Sequence, residues 1–406
     1  MVLCGSSQLL WLAYAALVSD LQRATHVTES QVVWLATVFP LLYVPLSIPV
    51  GRIIDRLGYR SAVLAGGVFL TAGAALRLAP GAYLALLAGS VLAALGQPLL
   101  LNSVTKLTGS LFAPEEEGRA TGLFTLSLFA GMLVAMVGSP LLYQAFGRDK
   151  SALAAMGLVY LLLAAGGLVG FLLAGRGLAA TGHTGFPVLH IPRALRPGGS
   201  LPPAGASTWR VITGLWREPG FVPLTVVMCL GLGALIAFLE LIQNALQASG
   251  LSDRAAGALG ALFVMVAAAG GYLIPALSDR LGHQRRTLAA STGAAGVGLA
   301  LAGLTGTRAL AVVGGTVAAA ALAALWSLVL TESVPIAGPE RSGMAASVLL
   351  MAGNLTGVVF TLGLVRIEQW SGYTAAFALL GLVTAIGVVP ALRLPRSAAR
   401  TGAPPG

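Results

Sequence analysis

Twelve apolar runs of about 20 residues, each long enough to cross a ~30 Å hydrocarbon core, follow one another along this 406-residue chain. They centre near Leu12, Leu42, Leu70, Val91, Leu128, Leu162, Leu232, Val264, Gly296, Ala319, Leu355 and Val383. Lipid offers the backbone no hydrogen-bond partners, so each run must satisfy its own amides and carbonyls, as a helix does. With 57% hydrophobic and only 9% charged residues, the chain cannot build a water-facing surface of ordinary composition. The expectation is an all-α, polytopic membrane protein with twelve transmembrane helices.

The formal charge of +10 does not mark a nucleic-acid protein. Such a partner needs basic residues gathered on one face, whereas here they stand singly between apolar runs. With the N-terminus placed in the cytoplasm, 17 of the 24 basic residues fall on the cytoplasmic side and 7, Arg77 among them, in outer loops. That asymmetry predicts both termini inside, at a bacterial cytoplasmic membrane. Cys4 and Cys229 lie within apolar runs and read as small core hydrophobes. The four histidines fall in loops or the linker, and no HExxH or facing Ser/His pair occurs. Neither a cofactor, a metal nor an enzymatic activity is expected.

One long polar segment, rich in Pro, Gly and Arg, separates the sixth run from the seventh. The predicted organisation is a six-helix half over 1–175, a cytoplasmic linker over 176–217 that reads as flexible, a second six-helix half over 218–395, and a short tail over 396–406. The halves repeat. Asp55 and Gly58 in GRIIDRLGYR stand 224 residues before Asp279 and Gly282 in PALSDRLGHQRR (279 less 55), while Pro114 and Gly118 in PEEEG stand 225 before Pro339 and Gly343 in PERSG (339 less 114).

GRIIDRLGYR, with Gly51, Asp55, Arg56, Gly58 and Arg60, resembles the loop signature G-x-x-x-D-R-x-G-x-R/K of the major facilitator superfamily (MFS). The second copy keeps Asp279, Arg280 and Gly282 but has Pro275 where the signature opens with Gly. The resemblance implies two parallel six-helix repeats with the substrate site at the midplane. It also implies a cytoplasmic latch, in which Asp55 faces the start of the eleventh span near Ser342 and Asp279 the start of the fifth near Gly118. An acid suits the positive end of a helix dipole. A narrower resemblance joins LLWLAYAAL and VVWLATVFPLLYVPLSIPVGRIIDRLGYR to the haem- and choline-transporter branch named after feline leukaemia virus subgroup C receptors. It carries Trp11 into the cavity and aligns Asn354 with a cavity glutamine, while the branch's span-seven aromatic falls near Ile236, with Phe238 the nearest substitute.

Polar groups inside spans are costly and mark function. Glu240 is the most deeply placed acid in the sequence; Asp20 and Glu332 lie nearer span ends, and all three are candidates for coupling. Trp11 and Tyr14 share a helical face, and Gln97 stands beside Pro98. Aromatic faces with an acid or amide suit a cationic solute. The expected substrate site is therefore Trp11, Tyr14, Gln97, Phe238, Glu240 and Asn354. The expected function is secondary transport of a small organic solute, a cationic amine among the candidate classes, with a proton or sodium ion as candidate coupling partner and a monomer as the working unit. A drug or metabolite exporter and a non-transporting sensor on the same scaffold are the alternatives.

Overall fold

A computed structural model describes residues 1–14, 17–113, 116–180, 208–304 and 307–395. Most of the expected linker, Pro114 and the tail lie outside the described residues. Every described element is helical: α1 (Val2–Leu12), α2 (Val18–Thr25), α3 (Glu29–Leu76), α4 (Tyr83–Leu101), α5 (Val104–Leu111), α6 (Glu117–Leu133), a π-helical turn (Val134–Gly138), α7 (Ser139–Ala145), α8 (Lys150–Ala180), α9 (Thr208–Arg217), α10 (Phe221–Ala248), α11 (Asp253–Leu281), α12 (Gln284–Ala302), α13 (Arg308–Ala337), α14 (Ser342–Ile386) and α15 (Val388–Leu392).

All twelve expected centres fall on helices. Among the described residues, eight stretches are long and apolar enough to span a membrane. Two of them, α3 and α14, each hold two centres, divided by a break at Gly58 (φ 81°, ψ 160°) and at Gly372 (φ 76°, ψ 172°) respectively. The other two centres lie on helices outside that set: α1, only 11 residues long, and α12. The first run departs most from expectation. Leu12, predicted at its middle, is the last residue of α1, and α2 starts only at Val18.

The chain packs as two compact units, Met1–Val104 with Ser127–His190, and Thr105–Leu126 with Ile191–Gly406. In the first, Thr28 opens α3 with a reciprocal capping box to Gln31. Helix α3 then tolerates Pro40, Pro45 and Pro49, and Ser47 donates to the Tyr43 carbonyl on the preceding turn. Where α3 returns beside α4, a Cβ on Gly73 would lie 2.5 Å from the Gly89 carbonyl oxygen and 2.8 Å from the Ala93 amide nitrogen. In the second unit, a Cβ on Gly298 of α12 would lie 2.9 Å from the Gly314 carbonyl oxygen and 2.6 Å from the Ala318 amide nitrogen of α13. These trios stand 225 residues apart (298 less 73), the same offset as the loop repeat. Small residues that let two backbones touch are the main adhesive between helices in lipid, and this chain uses the same contact in both of its repeats.

The second unit takes in Thr105–Leu126, which the sequence places in the first half. Thr105 donates to the Ser342 carbonyl at 3.0 Å, and Thr125 and Ser327 share a 2.6 Å hydroxyl pair. Ser327 also donates to the Gly271 carbonyl at 2.9 Å. A Cβ on Gly122 would meet the Gly271 carbonyl at 3.0 Å, so α6 and α11 approach at backbone distance.

Candidate functional site

The repeated loops are built as helix ends. Gly58 supplies the left-handed φ that a side chain resists, and its break turns α3 through the GRIIDRLGYR stretch. Asp55 is buried one turn before it, beside buried Gly51, while Arg56 and Arg60 are exposed. In the second copy Gly282 (φ 64°) closes α11 in the left-handed conformation, Arg280 is exposed, and Asp279 stands in the last turn.

The Asp279 carboxylate reaches the start of α6. One oxygen accepts the Arg119 backbone N–H at 2.6 Å, and the other accepts Gln284 Nε2 at 2.9 Å. Arg119 is the third residue of α6, so its N–H is one of the donors that a helix leaves without an internal partner. Asp279 thus caps a helix from a different part of the chain, with its charge at the positive end of the dipole. Gly118 makes room for it: a Cβ there would collide with the carboxylate.

The expected aromatic face is occupied from within. Tyr14 is buried, and its ring lies 5.1 Å from the guanidinium carbon of Arg77; the Phe39 ring lies 5.8 Å from the same carbon. Arg77 is 2% exposed and caps the end of α3. It donates to the Leu10 carbonyl at 2.5 Å and to Ser90 Oγ at 2.8 Å, and its Nε–H has no partner among the described residues. Among the described residues no carboxylate is shown paired with it. Instead it satisfies a carbonyl in the last turn of α1, where a cation is favoured, and lies between two ring faces. Sequence reasoning placed Arg77 in a loop; it does close the end of α3, but its side chain is buried in the protein, which the sequence did not show. Trp11, half-buried, donates from its indole N–H to the Ala36 carbonyl at 3.2 Å.

Phe238 is also corrected. It is fully buried, with ring centroids 5.7 Å from Phe263 and 6.3 Å from Phe377, in the core of its unit. Two residues along a helix are about 200° of rotation, so Phe238 cannot replace an aromatic at Ile236. The Ile236 face packs against Gly357 on α14, and Glu240, one turn further along that face, is exposed and accepts the Thr361 hydroxyl at 2.7 Å. Glu240 is thus not enclosed within the core of its unit. Asn354 is half-buried and donates to the Leu350 carbonyl of its own helix at 2.8 Å.

Gln97 is buried on α4, and nearby Asn102 accepts the Tyr43 hydroxyl at 2.6 Å, a bond between α3 and the end of α4. Asp20 forms a surface pair with Arg23 at 2.6 Å, three residues on. Glu332 is buried on α13. The expected substrate residues are thus divided: Trp11, Tyr14 and Gln97 belong to the first unit, and Phe238, Glu240 and Asn354 to the second.

A bundle of apolar helices built on a repeated Asp/Gly loop defines a multi-pass membrane protein of the transporter type. The family model of the Major Facilitator Superfamily matches residues 2–361 and 221–406, and the chain belongs to that family. Among its relatives, solute carrier family 49 member A3 of Danio rerio is 26% identical over 285 residues, 68% of this chain and 56% of the relative. The 2-nitroimidazole transporter of Escherichia coli (strain K12) is 27% identical over 286 residues, 67% of this chain and 62% of the relative. The matches thus span little more than half of these relatives' lengths. Among solved structures, the E. coli fucose:proton symporter FucP superposes with a TM-score of 0.73 at 16% identity, over 97% of this chain and 98% of that one, a likeness of fold. These matches establish the superfamily and do not reach the narrower branch.

Proposed function

We propose that the protein is a secondary transporter of the cytoplasmic membrane, with both termini inside, which moves a small organic solute by alternating access between two six-helix halves. The observation that carries this reading is the Asp279 carboxylate on the first turn of α6. A charge–dipole contact between the ends of two helices is strong when made and easily broken when either helix tilts, as a gate requires. Asp55, in the equivalent repeat position, is the proposed second half of the latch. The reading assigns transport, not catalysis, to the chain.

For the solute, the proposed contacts are Glu240 and Asn354 in one unit and Gln97 and Trp11 in the other, and Tyr14, packed on Arg77, is set aside. The case for a cationic amine then rests on Glu240 and Trp11. Asp20 already holds a neighbouring arginine, which leaves Glu240 and Glu332 as the coupling candidates. The test is counterflow in proteoliposomes against a panel of amines, nitroimidazoles and sugars, with and without a proton or sodium gradient. Saturable exchange of one class supports the reading. If the folded protein exchanges no solute under any gradient, the sensor alternative replaces it.

A further inference from the structure

The last ten residues of the expected flexible linker form α9, TWRVITGLWR, and this helix has three distinct faces. Ile212 and Leu215 are buried against their unit. Trp209 and Trp216, seven residues apart and so on one stripe, are 71% and 43% exposed. Arg210 and Arg217, also seven apart, form a second exposed stripe, rotated about 100° from the tryptophans.

The helix is fixed in place. Trp216 meets Phe221 edge-on at 5.7 Å, and Glu218, just past the end of α9, receives Arg341 at 2.6 Å. Only Glu218, Pro219 and Gly220 separate α9 from α10, whose apolar, membrane-crossing stretch begins at Phe221 itself. Three residues reach at most about 10 Å. That short tether keeps the end of α9 close to the membrane surface.

We propose that α9 lies in the plane of the bilayer and that Arg210 and Arg217 bind the phosphates of anionic phospholipids in that leaflet, with Trp209 and Trp216 seated at the acyl boundary. The order of the faces supports this. Tryptophan stripes belong at the interface, where the ring is apolar and its N–H is wet, and a pair of guanidiniums on the next face lies at headgroup height, where bidentate phosphate contacts form. Helix α9 would then hold the start of α10 at a fixed depth while the chain on its other side runs into the linker. The inference does not depend on which solute is moved.

Quenching by brominated lipid tests it. The protein is reconstituted in phosphatidylcholine nanodiscs containing about 20 mol% of either dibromo-phosphatidylglycerol or dibromo-phosphatidylcholine, and the Trp209 signal is taken as wild type minus Trp209→Phe. Expected is quenching by both lipids. The phosphatidylglycerol probe should be the stronger, by about twofold or more at low salt, with the difference fading at high salt. Replacing Arg210 and Arg217 together by Gln should abolish the preference and leave the common quenching, a control that the helix still docks. Equal quenching by the two lipids in wild type overturns the phosphate assignment. Absence of quenching by either overturns the in-plane placement as well.

Discussion

Replacing Asp279 by Asn keeps the shape of the side chain and removes the charge that faces α6. In wild type the carboxylate accepts Arg119 N–H at 2.6 Å and Gln284 Nε2 at 2.9 Å. A hydrogen bond to a charged group contributes about 1.5–3 kcal/mol, against about 0.5–1.5 for a neutral one. The helix terminus adds about 0.3–1 kcal/mol. The amide retains one acceptor and turns a donor toward the other contact, so the contact should weaken by about 1–2 kcal/mol. That is about a 5- to 30-fold change in the ratio of closed to open states. Gly118→Ala attacks the same contact without touching its charge, because the added methyl collides with the Asp279 carboxylate. Both variants should raise the labelling rate of a cysteine at Ser110, a half-buried position on α5, in a Cys4→Ala, Cys229→Ala background. Wild-type labelling and wild-type transport in both would refute the latch and leave Asp279 as a plain helix cap.

Gly73→Val and Gly298→Val should each destabilise the protein by about 1–3 kcal/mol, because the new side chain overlaps backbone that cannot move aside; thermal unfolding in detergent should report a matching fall in Tm for the two. Arg77→Met should lower Tm and Arg77→Lys should fail to restore it, since an ammonium can neither fork between Leu10 and Ser90 nor stack on two rings; recovery of wild-type Tm by Lys would show that charge alone matters there. Glu240→Gln should fold and insert normally, since the amide keeps the side chain's shape and can still accept the Thr361 hydroxyl, and should either weaken binding of a cationic solute or flatten the pH profile of uptake. Kinetics unaltered on both counts would make the Thr361 bond purely structural.

The apolar helical segments and the repeat were legible because length, apolarity and loop chemistry are local properties of a chain. So was the partner of Asp279, which follows from the repeat once the symmetry is accepted. What could not be read depends on helical phase and on returns of the chain. Phe238 and Ile236 differ by two positions, a trivial distance in an alignment, yet they face opposite sides of α10. Arg77 stands before a Leu-Ala-Pro-Gly stretch, and nothing in that order of residues shows that its side chain turns back to Leu10. Helix α9 was hidden by its surroundings, since the Pro and Gly content of the linker outweighed Val211, Ile212 and Leu215 at helical spacing. The glycine pairs were recoverable from the offset of 225, but among 53 glycines a coincidence of position carries little information until the contacts are seen.

The cage around Arg77 also bears on assembly. Synthesis delivers Leu10, Tyr14 and Phe39 before Arg77, and Ser90 only 13 residues after it. A guanidinium entering a membrane alone is costly, but here the α1 carbonyl and both rings are already present when it arrives. The broken first helix acts as a berth prepared in advance, and α4 closes it from the remaining side. A chain lacking residues 1–14 would therefore present Arg77 with only Phe39 and Ser90 to receive it, and its integration should stall at the hairpin of α3 and α4.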